Sequence, residues 1–318
     1  MIAIDVSVVI PCYNQARFLR EAIGSIDPGA LEVEIIVVDD GSTDDTAAVA
    51  EAAGAVCIRQ PNRGLAAARN TGLRASMGRF LVFLDADDRL MPGALETGVA
   101  ALETHPGCAL AYGRCVMMGP AGEPWPTRCE PRVDRDHHAA LLRRNLIWMP
   151  GMAIFRREPL LAAGGFAEEG IDAAADYDLY LRLSREHPVV DHGTLVAAYR
   201  QHAESMSGDA SRMLRETLTV MDRHRPDMEG DAATVAAWTD GRRDWRDFYG
   251  THLVEEIRAH VHGREWRAAF RKAATLARLH PEGLAWHARR KMRIYAGRAI
   301  PAAEIWAAIR RASSSSGR

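Results

Sequence analysis

The chain has 318 residues, 47% hydrophobic and 26% charged, with a formal net charge of −2. That balance supports a packed core and excludes a disordered chain, and no apolar run approaches the roughly 18–20 residues of a membrane-spanning helix. Five cysteines without a CxxC pair argue against a zinc site or a disulfide framework, and residues 1–10 hold an acid, Asp5, but no basic segment of a signal peptide, so a reduced, cytosolic protein is expected.

Residues 6–10 (VSVVI) read as a strand buried on both faces, stopped by Pro11. Residues 15–26 carry a helical stripe of Phe18, Leu19, Ala22, Ile23 and Ile26. A second strand follows at residues 34–38 (EIIVV), then a short helix at 44–53 with Ser42 or Thr43 as its cap. The third strand falls at 55–59, a helix at 64–76, the fourth strand at 80–84 (FLVFL), a helix from Pro92 to about residue 103, and a fifth strand at 109–112. This alternation predicts a mostly parallel sheet with helices on both faces. Prolines between residues 120 and 131 signal a loop. Beyond it the spacing predicts a helix at 176–184, an edge strand at 194–199, and only helices after about Met206. The terminal SSSSGR reads as a disordered tail.

In an open α/β sheet, ligands bind beyond the carboxyl ends of the strands. The first strand is followed there by Pro11-Cys12-Tyr13-Asn14 and the second by Asp39-Asp40-Gly41-Ser42-Thr43. Asn62-Arg63-Gly64 follows the third, and Asp85-Ala86-Asp87-Asp88 the fourth. The three carboxylates of the last group repel one another unless a cation neutralises them. Mg²⁺ or Mn²⁺ suits such oxygen ligands and steadies a diphosphate leaving group. Asp39 and Asp40 can accept hydrogen bonds from a nucleobase or ribose, or can simply serve the turn; Tyr13 can stack on a base or pack. A nucleotidyltransferase would need a glycine-rich phosphate loop after the first strand, and an oxidoreductase GxGxxG; PCYNQAR is neither.

The segments VSVVIPCYNQARFLREAIGSI, EIIVVDDGSTDDT, NRGLAAARNTGL, GRFLVFLDADD and DYDLYLRL, in that order, resemble the inverting family 2 glycosyltransferases across roughly residues 5–203. The resemblance implies a GT-A fold, α/β with a mostly parallel central sheet, followed by a C-terminal helical region. The expected boundaries are a catalytic domain at 1–205, helices at 206–312 and the tail at 313–318. It further implies that Pro11, Tyr13, Asp39 and Asp40 line a nucleoside pocket, with Arg69 near the nucleotide. Asp85 would open an Asp-x-Asp motif whose Asp87 and Asp88 approach the diphosphate and a Mn²⁺ or Mg²⁺ ion. His202, within Tyr199-Arg200-Gln201-His202, matches a histidine that touches the metal or diphosphate, although a lone histidine is as readily structural. Members of the family use a carboxylate base from an acidic pair; here the first acid is replaced by Ala175, leaving Asp176 as the base and Asp178 in reserve. Trp148 and Met149 are candidates for the acceptor pocket or for the core.

The expected activity is transfer of one sugar from a nucleotide-sugar donor, probed first as UDP-linked, to a glycan, lipid-linked or protein acceptor, as in cell-surface glycan or polysaccharide synthesis. The alternative is a catalytically silent sugar-nucleotide-binding module that scaffolds glycan assembly. The QxxRW motif and membrane helices of processive synthases are absent from the sequence. Residues 258–318 carry 14 Lys and Arg against 3 Glu. With Trp286, Trp306 and Arg289-Arg290-Lys291, this fits either a bundle with a solvated basic face or peripheral contact with an anionic membrane surface at the cytoplasmic side; no nucleic-acid motif supports a nucleic-acid partner.

Overall fold

The computed structural model describes residues 3–127, 130–202, 204–225 and 231–283. The chain divides into two compact units, Met1–Trp245 and Arg246–Arg318.

In the first unit, β1 (Val6–Cys12) is buried along its whole length. Its apolar run has no solvent-facing side because it lies between two parallel neighbours. Those are β2 (Val33–Asp39) and, beyond the intervening elements, the fourth strand. The helix α1 (Ala16–Gly24) follows β1, and α2 (Thr46–Ala52) links β2 to β3 (Val56–Arg59). Next come α3 (Leu65–Ala75), β4 (Phe80–Phe83) and a two-residue strand β5 (Arg89–Leu90), then α4 (Ala94–Thr104) and β6 (Leu110–Met118). A short β7 (Pro124–Trp125) folds back on β6 within the proline-rich loop. The unit continues with α5 (His137–Arg143), β8 (Ala153–Arg156), α6 (Arg157–Ala162), α7 (Ala175–Glu186), β9 (Val189–Arg200) and α8 (Ala210–His224). Two long helices, α9 (Ala232–His262) and α10 (Trp266–Leu279), complete the described chain.

The sheet order is β3-β2-β1-β4-β8-β6-β9-β5. Its first four strands are parallel, and β6 and β9 are parallel to each other. The antiparallel β8 separates these two parallel blocks. β8 is not among the strands expected from the sequence; it lies between β4 and β6, the strand that the fifth expected strand becomes. Pro11 does not stop β1. It lies past the end of the β1–β4 ladder, opposite Val38 of β2, where a missing N–H is tolerated. Neither Ser42 nor Thr43 caps α2; Asp44 accepts hydrogen bonds from the backbone N–H and the hydroxyl of Thr46. The strand expected at 194–199 runs from Val189, between β6 and β5.

The α3 helix packs on β1 and β2 at close range: a Cβ at Gly72 would fall 2.2 Å from Val9 Cγ1. This brings the start of α3 against the carboxyl ends of the parallel strands. Among the described residues, no helix is long and apolar enough to cross a membrane. The basic cluster Arg289-Arg290-Lys291, Trp286, Trp306, Cys129 and the 313–318 tail lie outside the described residues.

Candidate active site

Parallel strands end with their carbonyls on one edge, and each end here passes directly into a polar turn. At the β1–β2 end, Asn14 adopts φ +54°, accepts from the Thr43 N–H at 2.8 Å, and donates its own N–H to Ser42 Oγ. Gly41 holds φ +80°, and a side chain there would meet the Asn62 backbone at 2.8 Å. Tyr13 projects from this turn half exposed (50%) over the buried Pro11–Cys12 end of β1.

The two adjacent acids at the end of β2 do different things. Asp40 accepts from Gln60 Nε2 (2.7 Å), Arg63 N (2.9 Å) and Gly64 N (2.9 Å), so both oxygens hold the segment before α3. Asp39 accepts from Ser42 N at 2.9 Å and faces the exposed Arg59 guanidinium at 3.2 Å. Of the pair, Asp39 has the partner that solvent or a ligand can displace.

The end of β4 gathers most of the charge. Arg69, on α3, is buried and donates to Asp85 at 2.7 Å, with its guanidinium 5.2 Å from the Phe166 ring centre. Burial works against its charge, but Asp85 and Asp176 outweigh that and hold it protonated. Asp87 takes a 2.8 Å hydrogen bond with His202 Nε2 and a 3.4 Å bond from Gln15. Burial and then Asp85 push its carboxyl upward. The His202 ring also stacks, tilted, on Phe18 at 5.2 Å. Asp88 turns the other way: it is 1% exposed, and its Oδ1 accepts from Arg200 N at 2.8 Å. Burial, then Asp87 and Asp85, raise its carboxyl well above the usual range, and its Oδ2 has no hydrogen-bond partner among the described residues.

The sequence reading did not single out Arg200. This buried side chain donates to the carbonyls of Asp87 (2.7 Å) and Pro120 (3.0 Å) and pairs with Glu21, while its own N–H holds Asp88. It therefore fixes the 85–88 turn against the end of β9, two residues before His202. The only sequence signal is its place in Tyr199-Arg200-Gln201-His202.

The helix α7 supplies the last component. Asp176, in its first turn, accepts from Tyr177 N at 2.8 Å. Burial pushes its carboxyl up to about 6, against the pull of Arg69 and with the help of Asp85. Asp178 is enclosed elsewhere, between Arg182 (2.8 Å) and His224 of α8 (3.1 Å). Those partners hold its carboxyl below the usual range although burial opposes them. Trp148 is half-buried against the core and Met149 fully buried, so Met149 does not line an open pocket. The following Pro150-Gly151 turn lies against the end of β4, where a Gly151 Cβ would reach Leu84 at 3.3 Å.

Among the described residues, no three His, Cys, Asp or Glu side chains converge into a protein-only metal cage. The chemistry of the donors nevertheless fits a hard divalent ion. Asp85 and Asp87 are crowded carboxylates on one turn, and Mg²⁺-like ions use one or two such groups together with substrate phosphates. The Asp88 carboxyl beside them, shifted upward by burial, keeps one oxygen without a hydrogen-bond partner among the described residues.

Glycosyl transferase family 2 matches residues 7–162 of the chain. An uncharacterised protein of Mycobacterium tuberculosis (strain CDC 1551 / Oshkosh) is 32% identical over 69% of this chain and 73% of its own length. The uncharacterised glycosyltransferase EpsJ of Bacillus subtilis is 29% identical over 64% of this chain and 62% of its own, so the chain spans just under two thirds of that relative. In fold, the chain is similar to the mannosyltransferase PcManGT of Pyrobaculum calidifontis, solved with GDP-Man and Mn²⁺ (TM-score 0.57, 19% identity, 88% of this chain and 82% of that one). It is also similar to S. aureus TarS residues 1–349, solved with UDP-GlcNAc (TM-score 0.55, 15% identity, 86% and 91%).

Proposed function

The chain belongs to glycosyl transferase family 2 and is a glycosyltransferase; from that premise we propose that it transfers a single sugar, with inversion, from a nucleotide-sugar donor to an acceptor hydroxyl. The observation that carries the proposal is the convergence on one sheet edge of Asp85 and Asp87, the buried Arg69, His202 and the upward-shifted Asp176.

In this reading Tyr13 covers the base and Asp39 accepts a hydrogen bond from it, against Pro11 at the pocket floor. Asp40 contributes indirectly, by fixing residues 60–64. Arg69 neutralises charge beside the diphosphate while orienting Asp85. Asp85 and Asp87, with His202 alongside and Asp88 behind, would hold a Mn²⁺ or Mg²⁺ ion, which supplies charge neutralisation for the departing diphosphate. Asp176 takes the proton from the acceptor oxygen as that oxygen attacks the anomeric carbon and the bond to the diphosphate breaks. A base is most effective when its pKa lies close to the working pH, and burial has moved Asp176 in that direction. Residues 1–205 form the catalytic domain in this proposal. UDP is the first donor nucleotide to test because TarS was solved with UDP-GlcNAc, with GDP next because PcManGT was solved with GDP-Man. The acceptor class is a glycan, lipid-linked or protein hydroxyl.

The test is nucleoside diphosphate release from a panel of UDP-, GDP- and dTDP-sugars with Mn²⁺ or Mg²⁺, repeated with a chelator. Release with one donor class, abolished by chelation, is expected. Calorimetric donor binding without any release would instead identify a silent binding module. Turnover that survives chelation would remove the metal from the scheme.

A further inference from the structure

The second unit carries an exposed surface that the transfer reaction does not use. Along α10, Ala269 and Leu276 are buried, one above the other at a spacing of seven, and Lys272 pairs with Glu256 of α9 at 2.7 Å. Those residues define the covered side of the helix. On the other side Trp266 is 63% exposed and Phe270 76%, and their i, i+4 spacing places them on one stripe. Beside that stripe runs a row of arginines, Arg267, Arg271 and Arg278, which also share a helix face by their spacing and are exposed. None of the three has an acidic partner among the described residues. Two large exposed aromatics beside a row of cations without acidic partners among the described residues do not suit a solvated helix, which would cover the aromatics or pair the charges.

We propose that this face of α10 is a docking surface for an anionic lipid bilayer. Trp266 and Phe270 would enter the headgroup boundary, and Arg267, Arg271 and Arg278 would meet lipid phosphates. An amphipathic helix with aromatics on one face and basic residues flanking them is the composition that lies in a membrane interface. Charge selects this occupant over a second copy of the chain. A two-fold contact would bring the same arginine row against itself, whereas an anionic surface neutralises it. The surrounding sequence has the same sign: from residue 246 onward there are 15 Lys and Arg against 6 Asp and Glu.

The full chain is tested by co-sedimentation with phosphatidylcholine vesicles, with and without phosphatidylglycerol, over a range of NaCl concentrations. Binding to the anionic vesicles alone, weakening as salt rises, is expected. The Trp266→Ala/Phe270→Ala variant should lose at least about tenfold in partitioning, and Arg267→Glu/Arg271→Glu a similar factor. Because these side chains are exposed, both variants should keep the wild-type circular dichroism spectrum. Equal binding to neutral vesicles, or no binding at all, overturns the proposal. So does undiminished binding by the variants, which would place membrane affinity elsewhere in the chain. A concentration-dependent dimer that the aromatic variant abolishes would identify a self-association face instead. None of these outcomes depends on transferase activity, so the two proposals fail separately.

Discussion

Asp176 and Asp178 lie two residues apart on α7, yet they belong to two different regions. At the cleft end of the helix, Asp176 has one short hydrogen bond from the backbone and an upward-shifted carboxyl. On the flank that meets α8, Asp178 is held by Arg182 and His224 and its carboxyl is shifted downward. A fully paired buried acid is a structural fastening, because every proton acceptor it has is occupied. A partly enclosed acid left short of partners has its carboxyl shifted upward and can exchange a proton. At the end of β2 the partners differ in a similar way: Asp40 is held by three hydrogen bonds to residues 60–64, Asp39 by one hydrogen bond and an exposed arginine.

Four substitutions or titrations can break or sharpen that contrast. The largest effect is expected for Asp176→Asn, which should lower kcat by about 10²–10⁴-fold with donor KM nearly unchanged, since a base acts only in the transition state. Steady-state kinetics with the donor found by the release assay provides the check. Asp178→Asn should do the opposite: near-normal kcat per folded molecule, but destabilisation of about 3 kcal/mol from leaving Arg182 and His224 without their carboxylate, read from denaturant unfolding. If both variants lost turnover equally while folded, the division along α7 would be wrong.

The third check is titration. As the proposed base, Asp176 would act only when ionised, so kcat/KM should rise as the pH passes about 6 and then level off. Its folded-state pKa is raised, so the stability it contributes is full below its unfolded value and is lost as pH rises through about 6. Asp178 has the reverse sign, contributing stability above its unfolded value that is lost on acidification. In Asp176→Asn the rising limb of the rate profile should vanish, together with the stability loss that develops as pH rises from the unfolded value to about 6. The smallest effect is expected at the β1 end. Tyr13→Ala removes a half-exposed ring and should weaken nucleotide affinity by about tenfold or less, measured by calorimetry, with no change in the pH profile.

The parts of the molecule visible from sequence alone are those specified by neighbours along the chain. The strands β1 to β4 are apolar runs closed by polar turns, and the acids that follow them are adjacent in sequence. The less visible parts depend on distant partners. β8 is a four-residue strand, AIFR, whose place is set by β4 and β6 rather than by any periodicity of its own. Arg200 looks like an ordinary strand residue until Asp87, Pro120 and Glu21 surround it. The choice between Asp176 and Asp178 stayed open in the sequence, yet helix geometry bears on it: residues two apart point about 200° from each other, so both could not face one cleft. What sequence could not supply was which of those directions faces α8.

Asp40 has a kinetic consequence. Its three short hydrogen bonds, all from within the protein, hold residues 60–64 to the end of β2. In the proposed pocket, a donor would therefore meet a wall fastened by the protein itself, and little ordering entropy would be lost on that side. Binding there would then resemble a key entering a finished lock, and Asp40→Ala, by loosening residues 60–64, would turn that lock into one that must form around its key.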